Sequence, residues 1–404
     1  MWETVVQKVS ETLSLQEVQY PLLIFVLFIL PKLLERLGIP SAITAFLIGA
    51  SIGLGTTWFH ADPTIAFLAS LGIISLFLFA GMEVNIDEIK QQRFSLMIYI
   101  VVLLLLLTGA AFILRETLSL PFRSSLLFAL ALLTPSAGFI LDSLQSANLS
   151  ERQKSWIRSK VIAFELVALA VMFFALQSTD LTRLALSLAV VTAMILFLPL
   201  VFRTFAKRIA PFAPRSEFAF LLMIAILSAL LTSKMGAYYL VGAFVVGMIA
   251  QRYKTLLPDL KSHQMVETLK FFSGFFIPFY FFKAGSHISP ESISTSALLL
   301  AACLILIITP IRVGFVLGHR YLLHREVLAV SVPIAITLLP TLVFGLVLAE
   351  ILRERFELSP ELYDGLVFYT IIVTMLPTLF RAFMPKSESA LQETVMDEAS
   401  TSRP

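Results

Sequence analysis

Residues 122–144 read FRSSLLFALALLTPSAGFILDSL, and residues 158–176 read RSKVIAFELVALAVMFFAL. The first carries Thr134-Pro135-Ser136 in its middle; the second holds one carboxylate, Glu165, among apolar residues. A proline inside a helix removes one backbone donor and blocks a carbonyl in the preceding turn. In hydrocarbon the freed groups must be satisfied by protein or by a water-lined cavity. An acid inside a membrane segment is costly and by default marks a functional site. Broken backbone followed closely by such an acid is how many ion-coupled transporters build a midplane site. The two stretches together predict a secondary transporter.

Composition widens that reading to the whole chain. Of the 404 residues, 58% are apolar and 14% charged, against about 25% charged in an ordinary soluble domain. An excess spread this evenly predicts many membrane spans and a lipid bilayer as the main partner. A net charge of +3 gives no reason to expect nucleic acid. Cys303 is the sole cysteine, so no intrachain disulfide can form. No GxSxG, HExxH or Walker A pattern is present. His60, His263, His287, His319 and His324 all map to loops or helix ends. An enzyme is therefore not expected, and neither is a resident cofactor. Residues 1–19 lack a basic start followed by an apolar run, so a cleaved leader is not expected either.

A helix needs about 20 apolar residues to cross the hydrocarbon core. On that measure thirteen segments qualify: Tyr20–Leu37, Ser41–Trp58, Thr64–Met82, Phe94–Leu114, Phe122–Leu144, Arg158–Leu176 and Leu181–Phe202, then Glu217–Leu231, Ala237–Gln251, Val266–Gly285, Thr295–Leu317, Glu326–Leu348 and Tyr363–Met384. Lys and Arg crowd the loops that follow odd-numbered segments and the C-terminal tail. The positive-inside rule then puts the N-terminus outside and the C-terminus in the cytoplasm.

Three echoes recur about two hundred residues apart. AFLIG at 45–49 matches AFVVG at 243–247, and LFLFAGMEVNIDE at 76–88 resembles YFFKAGSHISPE at 280–291. LLTPSAG at 132–138 finds its counterpart in LLPTLVFG at 338–345. They pair segment 2 with 9, 3 with 10 and 5 with 12. An odd offset inverts the second copy, so segments 1–6 and 8–13 read as two inverted six-helix repeats joined by segment 7. Inverted repeats set the substrate site between copies, beside discontinuous helices. Here those are segments 5 and 12, broken near Pro135 and Pro340. The fold class expected is an all-α polytopic membrane protein with thirteen transmembrane helices.

These residues resemble the monovalent cation/proton antiporter superfamily, nearest its Kef-type branch. The likeness rests on LGIISLFLFAGMEVNIDEI, LLTPSAGFILDSL, VIAFELVAL, GAFVVGMIA, FFIPFYFFKAG and IRVGFVLG, and covers about residues 20–384. It implies the Na+/H+ antiporter fold: scaffold helices at 20–93 and 217–294, which form a homodimer, and core helices at 94–176 and 295–384. The linker helix is then 177–216, the extracytoplasmic segment 1–19, and the tail 385–404 a disordered cytoplasmic extension. It also implies elevator-type alternating access in a cell membrane, expected here to be a bacterial inner membrane. The family's essential carboxylate falls on Glu165, its Thr-Pro pair on Thr134 and Pro135, and its basic residue on Arg312. Two departures stand out. The family usually has Asp at the position of Glu165, and Asn or Asp where this chain has Phe164.

The chemistry expected of Glu165 is competition: a buried acid that holds a proton or a monovalent cation, Na+ or K+, but not both. H+ and that cation are the transported substrates, and Glu165 is the only side chain expected to bind the metal ion. Glu165 and Arg312 each lie about 10 Å from a segment end by helical rise, which makes a pair possible. Arg312 cannot release a proton and is read as holding the acid ready or clamping the empty site. Thr134, Ser136, Pro340 and Thr341 supply hydroxyls and freed carbonyls beside the breaks. Asp142, Phe164 and Lys283 are candidate cavity-lining residues. A transporter of anions coupled to H+ or Na+, using Lys283 and Arg312, is the first alternative. A channel or a membrane sensor is the second.

Overall fold

The structure, a computed structural model, describes residues 16–56, 58–59, 61–84, 93–144, 149–177, 180–213, 216–235, 239–253, 263–324 and 328–380. Of the expected segment 1–19, residues 1–15 lie outside them, as do the tail 385–404 and His60, while Gln16–Gln19 already belong to the first helix. The regular elements described are helical. We number them α1 Gln16–Glu35, α2 Ser41–Gly55, α3 Pro63–Met82, α4 Arg93–Leu118, α5 Phe122–Leu133, α6 Ala137–Leu144, α7 Glu151–Gln177 and α8 Leu181–Thr204. There follow α9 Glu217–Lys234, α10 Tyr239–Tyr253, α11 His263–Ser286, α12 Thr295–His324, α13 Leu328–Thr337, α14 Leu342–Phe356 and α15 Pro360–Phe380.

Each expected segment falls on one helix or on an interrupted pair, α5–α6 for the fifth and α13–α14 for the twelfth. Among the described residues nine stretches are long and apolar enough to cross a membrane, ten if the bent pair α13–α14 counts as one. The fifteen-residue α2 and α10 are shorter apolar helices. Length and composition alone thus give fewer crossings than the thirteen segments. Three boundaries move furthest. α7 starts at Glu151 rather than Arg158, α12 runs on to His324 rather than ending at Leu317, and α14 runs on to Phe356 rather than ending at Leu348. Each helix continues about two turns past the point where its apolar run gives out.

The helices differ in how they meet their surroundings. α4 buries one stripe, with Tyr99, Leu103, Leu107 and Ala111 inside, and exposes Val101, Leu105, Phe112 and Ile113 on the other. A helix apolar on its exposed face is turned to lipid. By contrast, α5 from Leu127 to Leu133 and most of α14 are buried all round. Those two sit inside protein, where irregular backbone can be tolerated.

The chain divides into two compact units, one of residues 1–73 and 267–290, the other of residues 74–266 and 291–404. In the first unit α2 and α11 approach closely through glycine. A methyl group on Gly49 would collide with the Phe282 carbonyl, and one on Gly285 with the Phe46 carbonyl. In the second unit α3 and α10 repeat the contact: Gly81 faces the Phe244 carbonyl and Gly247 the Leu78 carbonyl. Small residues at such crossings let backbones approach, which is the main source of helix association in lipid.

Candidate functional site

Within the second unit, the breaks expected at Pro135 and Pro340 are both present and bonded to each other. Residues 134–136 and 338–341 are not helical, and the α13–α14 pair bends by 40° across its gap. The Ser136 N–H donates to the Pro340 carbonyl at 2.7 Å. The Val343 N–H points back to the Ser136 hydroxyl at 3.4 Å. Each interrupted strand of backbone therefore satisfies part of the other's lost hydrogen bonding. The Thr134 hydroxyl donates to the Leu130 carbonyl at 2.6 Å, and the Tyr369 hydroxyl to that of Leu132 at 2.9 Å. Thr134, Ser136 and Thr341 are fully buried.

Arg312 closes the other side. Its two Nη atoms donate to the carbonyls of Leu339 at 2.7 Å and Leu338 at 2.8 Å. These carbonyls end a half-helix, where no following N–H reaches them and the dipole is negative. A guanidinium fits two adjacent acceptors through its fork. The pairing with Glu165 that equal depth allows is not formed: among the described residues no ion pair joins the two. The backbone of the break takes the arginine instead.

Glu165 is 1% exposed, and its Oε2 has no hydrogen-bond partner. It stands one turn beyond Val161 on the stripe that includes Ile157, Ala168 and Met172. Ile157 and Val161 pack with Ala137 and Ile140 of α6, Ile334 and Ala335 of α13, and Leu338 in the second break. The stripe thus packs on the interrupted helices at Ile157 and Val161, two turns and one turn before the acid. Thr341, at the start of α14, also has a buried hydroxyl without a partner. They are two of seven buried side-chain atoms without a partner among the described residues.

A cleft runs beside this crossing, lined by Tyr99, Pro135, Phe164, Arg312, Leu338 and Leu339 among others. Phe164 fills the position where the resemblance expects a polar neighbour, so that wall is apolar. Asp142 lies on α6, with its side chain outside the described residues. Lys283 is half-buried in the last turn of α11 and belongs to the other unit. No group of three or more His, Cys, Asp or Glu that could hold a metal ion occurs among the described residues.

Residues 22–384 match the family described as "Sodium/hydrogen exchanger, transmembrane". The chain belongs to this family. The sodium/hydrogen exchanger family places it in the membrane, in keeping with its long apolar helices. Curated relatives include "Probable Na(+)/H(+) antiporter 3" of Methanocaldococcus jannaschii, 24% identical over 87% of this chain and 92% of that protein. Another is "Na(+)/H(+) antiporter" of Enterococcus hirae, 22% identical over 87% of this chain and 93% of that one. Among solved structures, the sodium proton antiporter MjNhaP1 of M. jannaschii at pH 8 superposes with a TM-score of 0.66. It covers 90% of this chain and 96% of its own at 16% identity. That likeness shows that this exchanger-family chain shares the fold of that protein.

Reading the sequence missed several residues of this region. Lys160 and Arg320 count there as cytoplasmic loop charges, and His319 as a helix-end histidine. All three are buried, within α7 and α12. The correction follows from the two helices extending past their apolar runs. Tyr99 and Tyr369, which hold polar groups of the core, carry no charge or break that would single them out. The signal for Lys160 is its spacing: Trp156, Lys160 and Phe164 recur every fourth residue on one helical stripe.

Proposed function

We propose that the chain is a secondary transporter that exchanges a monovalent cation for protons through Glu165 by alternating access. The observation that carries this is the buried Glu165 carboxyl, with an unpartnered oxygen, one turn along α7 from Val161, which packs among two broken helices that bond to each other. An acid in that setting can hold a proton or a cation, and each occupant excludes the other. That exclusion couples the two fluxes. The names of the curated relatives favour Na+ over K+. Glu165 in place of the family's usual Asp extends the carboxylate by one methylene toward the crossing. With Phe164 beside it, Glu165 is the only acid this pair of positions offers, which favours one proton per cation.

The finer architecture belongs to the same proposal: thirteen crossings, N-terminus outside, C-terminus in the cytoplasm, and a homodimer. Support for two inverted six-helix repeats comes from the glycine contacts. Phe46 and Gly49 of AFLIG pack on Phe282 and Gly285, and Phe244 and Gly247 of AFVVG pack on Leu78 and Gly81. The echoing sequences make equivalent contacts, as inverted copies would. An elevator-like movement of the core suits a site carried on helices buried within protein. The anion alternative is weakened by Arg312, whose two Nη atoms are already held by carbonyls.

The test is exchange in proteoliposomes with a lumenal pH dye. The expected result is saturable, Na+-dependent pH recovery that is lost in Glu165→Gln and retained in Lys283→Ala. Recovery that needs an anion and fails in Lys283→Ala would favour the anion reading. Ion flux without proton movement would favour a channel.

A further inference from the structure

Away from Glu165, the two ends of α8 are built differently. At its start the exposed Arg183 lies 3.9 Å from the Asp180 carboxylate, which also caps the helix by accepting from the Thr182 N–H at 2.9 Å. At its far end Arg203, Lys207 and Arg208 are all exposed. Among the described residues none of these three makes an ion pair or a hydrogen bond. Glu217, the first acid to follow them in the sequence, is buried in the first turn of α9.

The three bases stand on a fixed piece of backbone. α8 passes at Thr204 into a π turn, Phe205–Ile209, closed by the Ala210 N–H on the Phe205 carbonyl at 2.9 Å. Turns of this kind occur frequently at functional sites. The Phe205 ring stacks on that of Phe220 in α9 with centres 3.8 Å apart, and Phe202 meets the same ring edge-on at 5.2 Å. The chain then reverses, with the N–H groups of Phe212 and Ala213 both donating to the Ile209 carbonyl at 3.0 Å. That reversal leaves Phe212 88% exposed. Leu196, Leu200, Arg203 and Lys207 recur every three or four residues and so share one helix face. Its two leucines are exposed to lipid and its last two members are basic.

A bias of Lys and Arg toward one side of the membrane accounts for how many bases lie here. It does not account for their being exposed, fixed and without an acid, when the other end of the same helix pairs its arginine. Guanidinium groups match phosphate oxygens through parallel N–H donors, and anionic membrane surfaces attract bases placed next to a membrane helix. An exposed phenylalanine beside such bases suits the boundary between headgroups and acyl chains. We infer that this end of α8 binds the headgroup of an anionic phospholipid. Arg203, Lys207 and Arg208 hold its phosphate, its chains lie along Leu196 and Leu200, and Phe212 enters the headgroup layer beside it.

The experiment is native mass spectrometry of the full-length protein in detergent, titrated with phosphatidylglycerol or with phosphatidylcholine. It compares the wild type with Arg203→Gln, Lys207→Gln and Arg208→Gln, singly and combined, and with Arg183→Gln. The wild type is expected to hold phosphatidylglycerol at least about tenfold more tightly than phosphatidylcholine. Each charge removed from the site should weaken phosphatidylglycerol roughly fivefold, and all three about 100-fold. Arg183→Gln should bind as the wild type does. None of the three bases is bonded within the chain, so the variants should melt with the wild type in detergent without added lipid; the single variants carry the test if the combined one folds poorly. Equal retention of the two lipids by the wild type, or phosphatidylglycerol binding unchanged in the neutral variants, would overturn the inference. Displacement of phosphatidylglycerol by an equal concentration of inorganic phosphate would make this a site for free phosphate and overturn its assignment to lipid.

Discussion

Glu165 and Arg312 are buried to similar degrees, 1% and 7% exposed, yet they are held in opposite ways. The guanidinium spends both Nη atoms on two carbonyls of the second break. The carboxyl leaves Oε2 unpartnered. Both face a part of the core where backbone has been interrupted, but only the acid has bonding capacity to spare. On the proposed reading the difference separates two jobs that a charged residue does in a membrane: Arg312 would complete the fold, and Glu165 would take the ligand. A buried charge left without its partner is far more costly than a paired one is stabilising, so the unpaired member is the one that function has to explain.

The largest effect that would break this contrast is expected at the acid. Glu165→Gln keeps shape and removes the ionisable group; Na+-driven exchange should drop at least about 100-fold, in line with a group whose charge is the binding site, while the melting temperature in detergent changes little. Arg312→Ala should do the reverse in kind. It frees the Leu338 and Leu339 carbonyls, each losing a charge-assisted bond of about 1.5–3 kcal/mol. Thermal unfolding should register the loss directly, and Arg312→Lys should recover part of it. If Arg312→Ala melts like wild type but cannot exchange, the arginine is functional and the contrast collapses.

Thr341 sharpens the comparison at a smaller scale. Its hydroxyl is buried without a partner, like the acid and unlike Thr134, whose hydroxyl donates to the Leu130 carbonyl. If it is a ligand, Thr341→Val should raise the KM for Na+ by roughly tenfold with unfolding unchanged, about what one hydrogen bond is worth. Thr134→Val should leave KM near the wild-type value. Equal effects at both positions would mean that the unpartnered hydroxyl carries no special role.

The smallest effect is expected at a second acid, one whose hydrogen bonds are filled. Asp62 accepts from the Tyr20 hydroxyl at 2.6 Å and from the N–H groups of Thr64 and Ile65 at 2.8 and 3.0 Å. Burial pushes its carboxyl up, but the bonds from Tyr20 and the backbone outweigh it and leave the group below the usual carboxylate range. A depressed acid contributes stability above its unfolded value, near 3.9, and loses it as pH falls through the folded one. Asp62→Ala should therefore cost about 1 kcal/mol at neutral pH, as the loss of a helix N-cap does, and less toward pH 3. Exchange by this variant should keep the wild-type pH profile.

How much of this was legible in the sequence depends on the kind of signal. Pro135, Pro340 and Glu165 break an apolar pattern, so they could be found without coordinates, and the glycine echoes at 45–49 and 243–247 recur as contacts. Arg312 was legible as a buried base but not by its partner. Helical rise gives depth and says nothing of direction around the axis, so equal depth suggested Glu165 where the backbone in fact takes the guanidinium. Lys160, His319 and Arg320 were lost for another reason. Charge counts treat every basic residue near a span end as solvated, while α7 and α12 carry theirs inward among Trp156 and Tyr99. Tyr369 has no sequence signal at all, because a tyrosine bonded to a carbonyl reads the same as one packed against lipid.

The central claim is that a proton and a cation compete for one carboxyl. Calorimetric titration of the purified protein with Na+ over a range of pH tests it most directly. The account predicts that the apparent Kd rises about tenfold for each pH unit below the acid's titration point, as competition for one site requires. One proton should be released per ion bound, and no binding should remain in Glu165→Gln. A Kd that does not change with pH, or Na+ binding that persists in Glu165→Gln, would contradict it.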